Sequence, residues 1–385
     1  MIPYGRQKIL EEDIQAVINV LRSDYLTQGP AVPQFEQAVA EYVDVNYAVA
    51  VNSGTSALHI ACLALGLGEG DWLWTSPITF VASANCGLYC GAQVDFVDID
   101  RQTFNMSVTA FEEKLKKAEQ TGTLPKIVVP VHFAGQPCDM KEVSRLAKHY
   151  GFFVIEDACH AIGGKYQGKH VGHCQYSDIT VYSFHPVKII TTAEGGMAVT
   201  QQEHLAEKMR TLRSHGVTRE ANEMTHKPDG AWYYQQTELG FNYRMTDLQA
   251  ALGISQLAKI NEFIQQRHTL KSRYDSLIVD LPITTQHQCQ DSISALHLYP
   301  VQIDLTQTSK TFSQIFDFLR ENGVGVNVHY IPVHTQPYYK QLGFKSGDFP
   351  NAEDYYTKTL SLPLYCALSF EEQDKVISVL HEALK

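Results

Sequence analysis

The chain has 385 residues, 44% hydrophobic and 19% charged, which is too long for one typical core and implies a large domain joined to a smaller one. A formal charge of -11 excludes a general nucleic-acid or anionic-membrane binder, since either needs a basic face. No stretch reaches the roughly 18 uninterrupted apolar residues of a membrane span, and the opening MIPYGRQKILEEDI lacks an apolar leader, so a cytoplasmic protein is expected.

After an extended arm, EEDIQAVINVLRS and PQFEQAVAEYV repeat apolar positions at helical spacing, separated by the break TQGPAVP. From YAVAVNS onward strands and helices alternate: QVDFVDID, KIVVPVHFAG, FFVIEDAC, ITVYSFH and GGMAVT are short β-branched or aromatic runs, with helices such as DMKEVSRLAKHYG between some of them. That order predicts an α/β domain on a mainly parallel sheet. The stretch MTDLQAALGISQLAKINEFIQQRH reads as one long helix bridging out of it. HLYPVQID, a helix around TFSQIFDFLRENG, GVNVHYIP and a last helix capped by Ser369 with Glu372 three residues on make a small α+β domain. The expected division is 1–250 for the arm and large domain and 251–385 for the bridging helix and small domain.

The eight cysteines lie singly with no CxxC pair, as reduced thiols packed like small hydrophobes would. KHVGHC gathers His170, His173 and Cys174, but it lacks zinc spacing and is flanked by glycine, so it reads as a solvated turn and no metal is expected.

Three motifs carry chemistry. In NSGTSAL a strand turns into a helix at Gly54, which lets the backbone approach a ligand, while Thr55 and Ser56 add hydroxyls beside free helix N–H groups; the turn suits a phosphate, with an ordinary capped helix as the alternative. EDACHAIGG puts Glu156 and Asp157 at the C-terminal end of a strand, where open α/β sheets bind ligands; a buried carboxylate there needs a cationic partner, such as a protonated ring nitrogen, unless it serves as a helix cap. In VYSFHPVKIITTAEGGMA a His-Pro turn delivers Lys188 among Val187, Ile189 and Ile190, where partial desolvation makes a lysine a usable amine nucleophile.

With LTQGP, SPITFVASAN, RSHG, LGFNYRMTDLQAALG and HYIPVHTQPYY in order around these motifs, the chain resembles the sugar aminotransferases that depend on pyridoxal 5'-phosphate (PLP) and share fold type I. The resemblance runs nearly end to end. It implies a fold type I PLP-dependent transferase, with a mixed, mainly parallel sheet in the large domain and a small α+β C-terminal domain. It further implies that Lys188 is the Schiff-base lysine and proton shuttle, and that Asp157 pairs with the pyridine nitrogen. Phe80 would cover the ring and His160 would bond its hydroxyl. Gly54, Thr55 and Ser183 would hold the phosphate, which Asn242 would reach from the neighbouring subunit of a homodimer with shared sites.

Finer features, namely Tyr4, LTQG, SFHxxKxITTAEGG, HLYP and VHYxP, resemble the branch of pseudaminic acid biosynthesis. That branch implies L-glutamate as amino donor and a UDP-linked 4-keto-6-deoxy-N-acetyl-hexose as acceptor, bound by Tyr4, Asp24, Tyr25, Leu26, Thr27, Arg244, His329 and Tyr330. Arg244 suits a diphosphate because its planar fork makes paired charge-assisted bonds. Aminotransferases for other nucleotide-linked 4-keto-sugars share the lysine loop. A PLP-dependent sugar dehydrase and a non-catalytic PLP-binding regulator are the further alternatives.

Overall fold

The computed structural model describes residues 1–385. The arm leads to α1 (Glu11–Leu21) and α2 (Ala31–Val43), the two amphipathic helices expected. In α2, Phe35, Val39 and Val43 recur at helical spacing and are fully buried. β1 (Tyr47–Val51) then enters a sheet and turns directly into α3 (Gly54–Ala64).

β2 (Trp72–Thr75), α4 (Ala82–Tyr89), β3 (Gln93–Phe96), α5 (Val108–Thr121), β4 (Ile127–Val129), α6 (Met140–Tyr150) and β5 (Phe153–Asp157) follow in alternation. A small hairpin of β6 (Lys165–Tyr166) and β7 (Lys169–His170) intervenes before β8 (Ile179–Ser183) and β9 (Gly196–Thr200). The seven-stranded sheet has the order β1-β9-β8-β5-β4-β2-β3; β9 runs antiparallel to both neighbours and the other four pairings are parallel.

Both faces of this sheet are covered. Val49 and Val51 of β1 point into a core shared with α3, while Ala48 and Ala50 pack with Phe35 and Val39 on the other side. Because burial on both faces erases hydrophobic alternation, β2 (WLWT) carries no period-2 signal. The runs QVDFVDID and KIVVPVHFAG extend past the strands they contain: β3 ends at Phe96 and β4 at Val129, after which Pro130 cannot donate to a ladder.

Beyond the sheet come α7 (Glu203–Arg213) and a short ladder of β10 (Val217–Thr218) with β11 (Gln235–Gln236). The bridging stretch is two helices, α8 (Asp247–Leu257) and α9 (Ile260–Leu277), not one. Ala258 closes the first and Lys259 starts the second, so an unbroken helical sequence pattern hides a break that packing imposes. α8 is anchored by two buried carboxylates. Asp247 accepts from the N–H groups of Gly29 and Ala31 at 2.8 Å each, and Asp13 of α1 accepts from Gln256 Nε2 at 2.7 Å.

The remaining elements are β12 (Ile283–Thr285), β13 (Ser292–Ile293), β14 (Tyr299–Ile303), α10 (Phe312–Glu321), α11 (Pro337–Gln341), α12 (Pro350–Tyr356), β15 (Thr359–Leu362) and α13 (Phe370–Leu384). β12, β14 and β15 form an antiparallel sheet whose core, with Leu319, Val376 and Leu380, also takes in Ile2 from the chain start. Ser369 and Glu372 make the expected reciprocal capping box on α13. GVNVHYIP is an irregular segment with a single bridge at Asn327 and another at Val324 just before it, which leaves its side chains free to face a cavity. No helix is long and apolar enough to cross a membrane.

Candidate active site

A cavity of about 530 Å³ opens at the C-terminal ends of β5 and β8, beside the turn from β1 into α3. Of the residues proposed from sequence, Tyr4, Gly54, Thr55, Phe80, Asp157, His160, Ser183, Lys188, His329 and Tyr330 line it. They come from six separate segments of the chain.

The pleat of β5 separates the two carboxylates of EDAC. Glu156 faces away from the cavity and is bonded to His132 Nε2 at 2.7 Å, Thr180 Oγ1 at 3.1 Å and the Ser177 hydroxyl. Burial raises its pKa, but these donors outweigh that and hold it below the usual glutamate value. Asp157 faces the cavity and is 5% exposed; it accepts from Ser83 Oγ at 2.6 Å and from Cys159 N–H at 3.1 Å. Ser83 is itself bonded to Thr79 Oγ1 at 2.7 Å, so a buried hydroxyl pair fixes the carboxylate.

Burial lowers the pKa of the Lys188 amine, and Cys159 and Asp157 offset this only in part. The lysine is thereby a better nucleophile than a solvated one. It is the one lysine or arginine lining the cavity.

The phosphate-type turn is built for close approach. Ser53 caps α3 by accepting from Ser56 N–H at 3.1 Å, and a Cβ on Gly54 would lie 2.9 Å from Ser183 Cβ. Gly196 backs the same turn: a Cβ there would lie 2.3 Å from Ser53 O and 2.6 Å from Gly54 N. Gly196→Ala is expected to displace the turn and weaken PLP binding about tenfold, the cost of modest overpacking, as read by titrating the apoprotein with cofactor. Unchanged affinity would show that this turn is not the phosphate cradle.

His160 is buried, and both of its ring nitrogens already have partners: Ala134 N–H donates to Nδ1 at 3.3 Å, and Nε2 pairs with the Tyr330 hydroxyl at 3.1 Å. A ring hydroxyl placed here therefore meets Tyr330 as well as His160. Phe80 is 60% exposed at the mouth, 6.4 Å from the Tyr330 ring, leaving one face open to a planar ligand. Tyr4 packs against His329, whose Nδ1 bonds Ser361 Oγ at 2.8 Å.

The other residues proposed from sequence are not brought to this cavity. Asn242 pairs with Ser214, Arg244 with Val51 and Thr27 with Thr246, while Asp247 N–H donates to Leu26 O at 3.0 Å. Asp24, Tyr25, Leu26 and Thr27 thus run beside the segment that bears Arg244, and exposed Asn242 sits two residues before it.

Sequence reasoning missed Thr79, Ser83, Cys159, His185, Glu194 and Asn327 among the lining residues. Thr79 and Ser83 stand four apart in SPITFVASAN, but that segment carries no charge to mark it. Asn327 reaches the site only through tertiary folding.

The DegT/DnrJ/EryC1/StrS aminotransferase family model matches residues 7–381. The spore coat polysaccharide biosynthesis protein SpsC of Bacillus subtilis is 41% identical over 100% of this chain and 97% of its own. A UDP-4-amino-4,6-dideoxy-N-acetyl-β-L-altrosamine transaminase of Campylobacter jejuni is 36% identical, covering 100% and 99% respectively. Among solved structures, Helicobacter pylori PseC, an aminotransferase involved in the biosynthesis of pseudoaminic acid, superposes with a TM-score of 0.91 at 32% identity, over 100% of this chain and 99% of that one. A lysine amine desolvated beside a fixed aspartate, on a fold shared end to end with these proteins, makes this chain a PLP-dependent sugar aminotransferase of the DegT/DnrJ/EryC1/StrS family.

Proposed function

We propose that the enzyme moves an amino group from L-glutamate to C4 of a UDP-linked 4-keto-6-deoxy-N-acetyl-hexose, as in pseudaminic acid synthesis. The observation that carries the proposal is the presence of Lys188 and Asp157 in one cavity whose wall also holds Tyr4, His329 and Tyr330. The activities of the Campylobacter and Helicobacter relatives suggest the sugar.

The residues present fit PLP. Gly54, Thr55 and Ser183 would hold its phosphate, Asp157 its ring nitrogen and Phe80 its exposed face. PLP bound there supplies an aldehyde that captures amines and a ring that takes up electron density. Asp157, kept in place by Ser83 and Cys159 N–H, holds a proton on the ring nitrogen. The Lys188 amine, lining the same cavity, would move a proton between cofactor carbon and sugar carbon.

The phosphates of PLP and of a UDP-sugar bring more negative charge than one lysine offsets. A second copy of the chain would bring Asn242, Arg244 and residues 24–27 to the cavity, giving a homodimer with shared sites. The proposed lobes, 1–250 and 251–385, close around it.

A second reading, amination of another nucleotide-linked 4-keto-sugar, is favoured by the higher identity to SpsC, a spore coat polysaccharide protein. The enzyme would be given UDP-4-keto-6-deoxy-N-acetyl sugars of L-altro and D-gluco configuration with glutamate, and the aminated product identified by NMR. Preference for the L-altro sugar is expected; equal turnover of both would defeat the pseudaminate assignment.

A further inference from the structure

The HLYP motif contributes a residue that the roles above leave unused. His297 is 4% exposed, and its ring centroid lies 4.4 Å from that of His160 with the planes tilted by 47°. Its Nδ1 is buried without a hydrogen-bond partner.

The backbone around it is held firmly. His297 N–H donates to Ala134 O at 2.9 Å, and fully buried Arg267 donates from one guanidinium nitrogen to the carbonyls of Leu296 at 3.0 Å, His297 at 3.2 Å and Leu364 at 3.1 Å. Gly135, at φ +99°, makes this approach possible, because a Cβ there would fall 2.7 Å from Leu296 N and 2.9 Å from His160 O. A buried cation thus fixes the backbone turn that carries the His297 ring.

The hydrogen bonds around His160 have a direction. Its Nδ1 accepts from Ala134 N–H, so in the neutral ring the proton sits on Nε2 and is donated to the Tyr330 oxygen. Burial, reinforced by the charge of Lys188, lowers the pKa of both His160 and His297, and burial raises that of Tyr330. The rings therefore stay neutral and the phenol keeps its proton. That proton is unclaimed, and Tyr330 lines the cavity.

We propose that His297 is a positioning residue: packed against His160, it holds that ring at the tilt which directs the Tyr330 hydroxyl proton toward the ring oxygen of bound PLP. The inference rests on the aminotransferase reading and extends it to a buried residue outside the cavity wall.

A double-mutant cycle on the holoenzyme tests it. His297→Leu, similar in volume but without a planar ring, is expected to shift the visible absorbance of the bound cofactor and to weaken PLP binding about tenfold, the loss of roughly one hydrogen bond. At saturating cofactor, kcat should fall about tenfold with KM for the keto-sugar within about twofold. Tyr330→Phe should shift the spectrum and weaken PLP binding to the same extent. The double variant should be no worse than either single one, because both changes remove the same contact.

An unmoved spectrum in His297→Leu, or losses that multiply in the double variant, would overturn the proposal. If circular dichroism shows that His297→Leu does not fold, His297→Gln enters the same cycle under the same criteria. A wild-type protein with no cofactor absorbance would instead defeat the functional reading, so the two failures are distinguishable.

Discussion

Lys188→Ala is expected to remove transaminase turnover by at least about 10³-fold and to leave no cofactor covalently attached, if, as proposed, one amine serves both as the anchoring nucleophile and as the proton carrier. Borohydride reduction followed by peptide mapping checks the attachment in the wild-type protein: the pyridoxyl label should fall on the peptide containing His185-Pro186-Val187-Lys188. Arginine at this position should fail equally, since a guanidinium stays protonated and is a poor nucleophile at neutral pH. Stability should change little or rise, because the native amine is held in a partly desolvated place that disfavours its charge. Turnover within tenfold of wild type in the alanine variant would end the assignment.

The second large effect concerns acid. His160, His297 and His329 are buried around the cavity, and burial lowers the pKa of each below the usual 6.5, that of His329 to about 3. In the unfolded chain all three regain ordinary basicity. Between pH 6.5 and the depressed folded values the unfolded state binds more protons, so stability is fully present above about pH 6.5 and is lost as pH falls. Each such histidine costs about 1.4 kcal/mol per pH unit once well below 6.5, so moving the apoprotein from pH 7.5 to 5.5 should remove roughly 3–4 kcal/mol. Urea titration at the two pH values measures the difference. A stability that held or rose on acidification would mean that these rings are charged in the folded state, contrary to their surroundings. Glu156 acts in the same direction at lower pH: its folded pKa is depressed, so its contribution is present above the usual glutamate value and lost below it.

These two predictions draw on different levels of information. Lys188 is visible in sequence because an ammonium among Val187, Ile189 and Ile190 conflicts with local composition, and a chain that keeps such a conflict uses it. The neutrality of His297 is not visible, because a histidine in HLYP looks the same whether it is solvated or packed under another ring.

Local sequence by itself determined the elements that short-range physics controls. The helices of EEDIQAVINV and PQFEQAVAEYV follow from period 3.6, the start of α13 from Ser369 and Glu372, and the alternation of strand and helix from β-branched runs separated by amphipathic ones. It also determined the chemical inventory at the ends of β5 and β8, since a glycine turn, a strand-terminal aspartate and a desolvated lysine are recognisable by type.

Tertiary structure alone decided the remainder. It broke the bridging helix at Ala258, turned Glu156 away from the cavity while Asp157 faced it, and brought Thr79 and Ser83 behind that aspartate. It also placed Asn242, Arg244 and residues 24–27 away from the cavity of their own chain, beside β1 and α8. The reason is the same in each case. Periodicity and capping act over a few residues, whereas the direction a side chain faces depends on which distant segment has claimed the space opposite it.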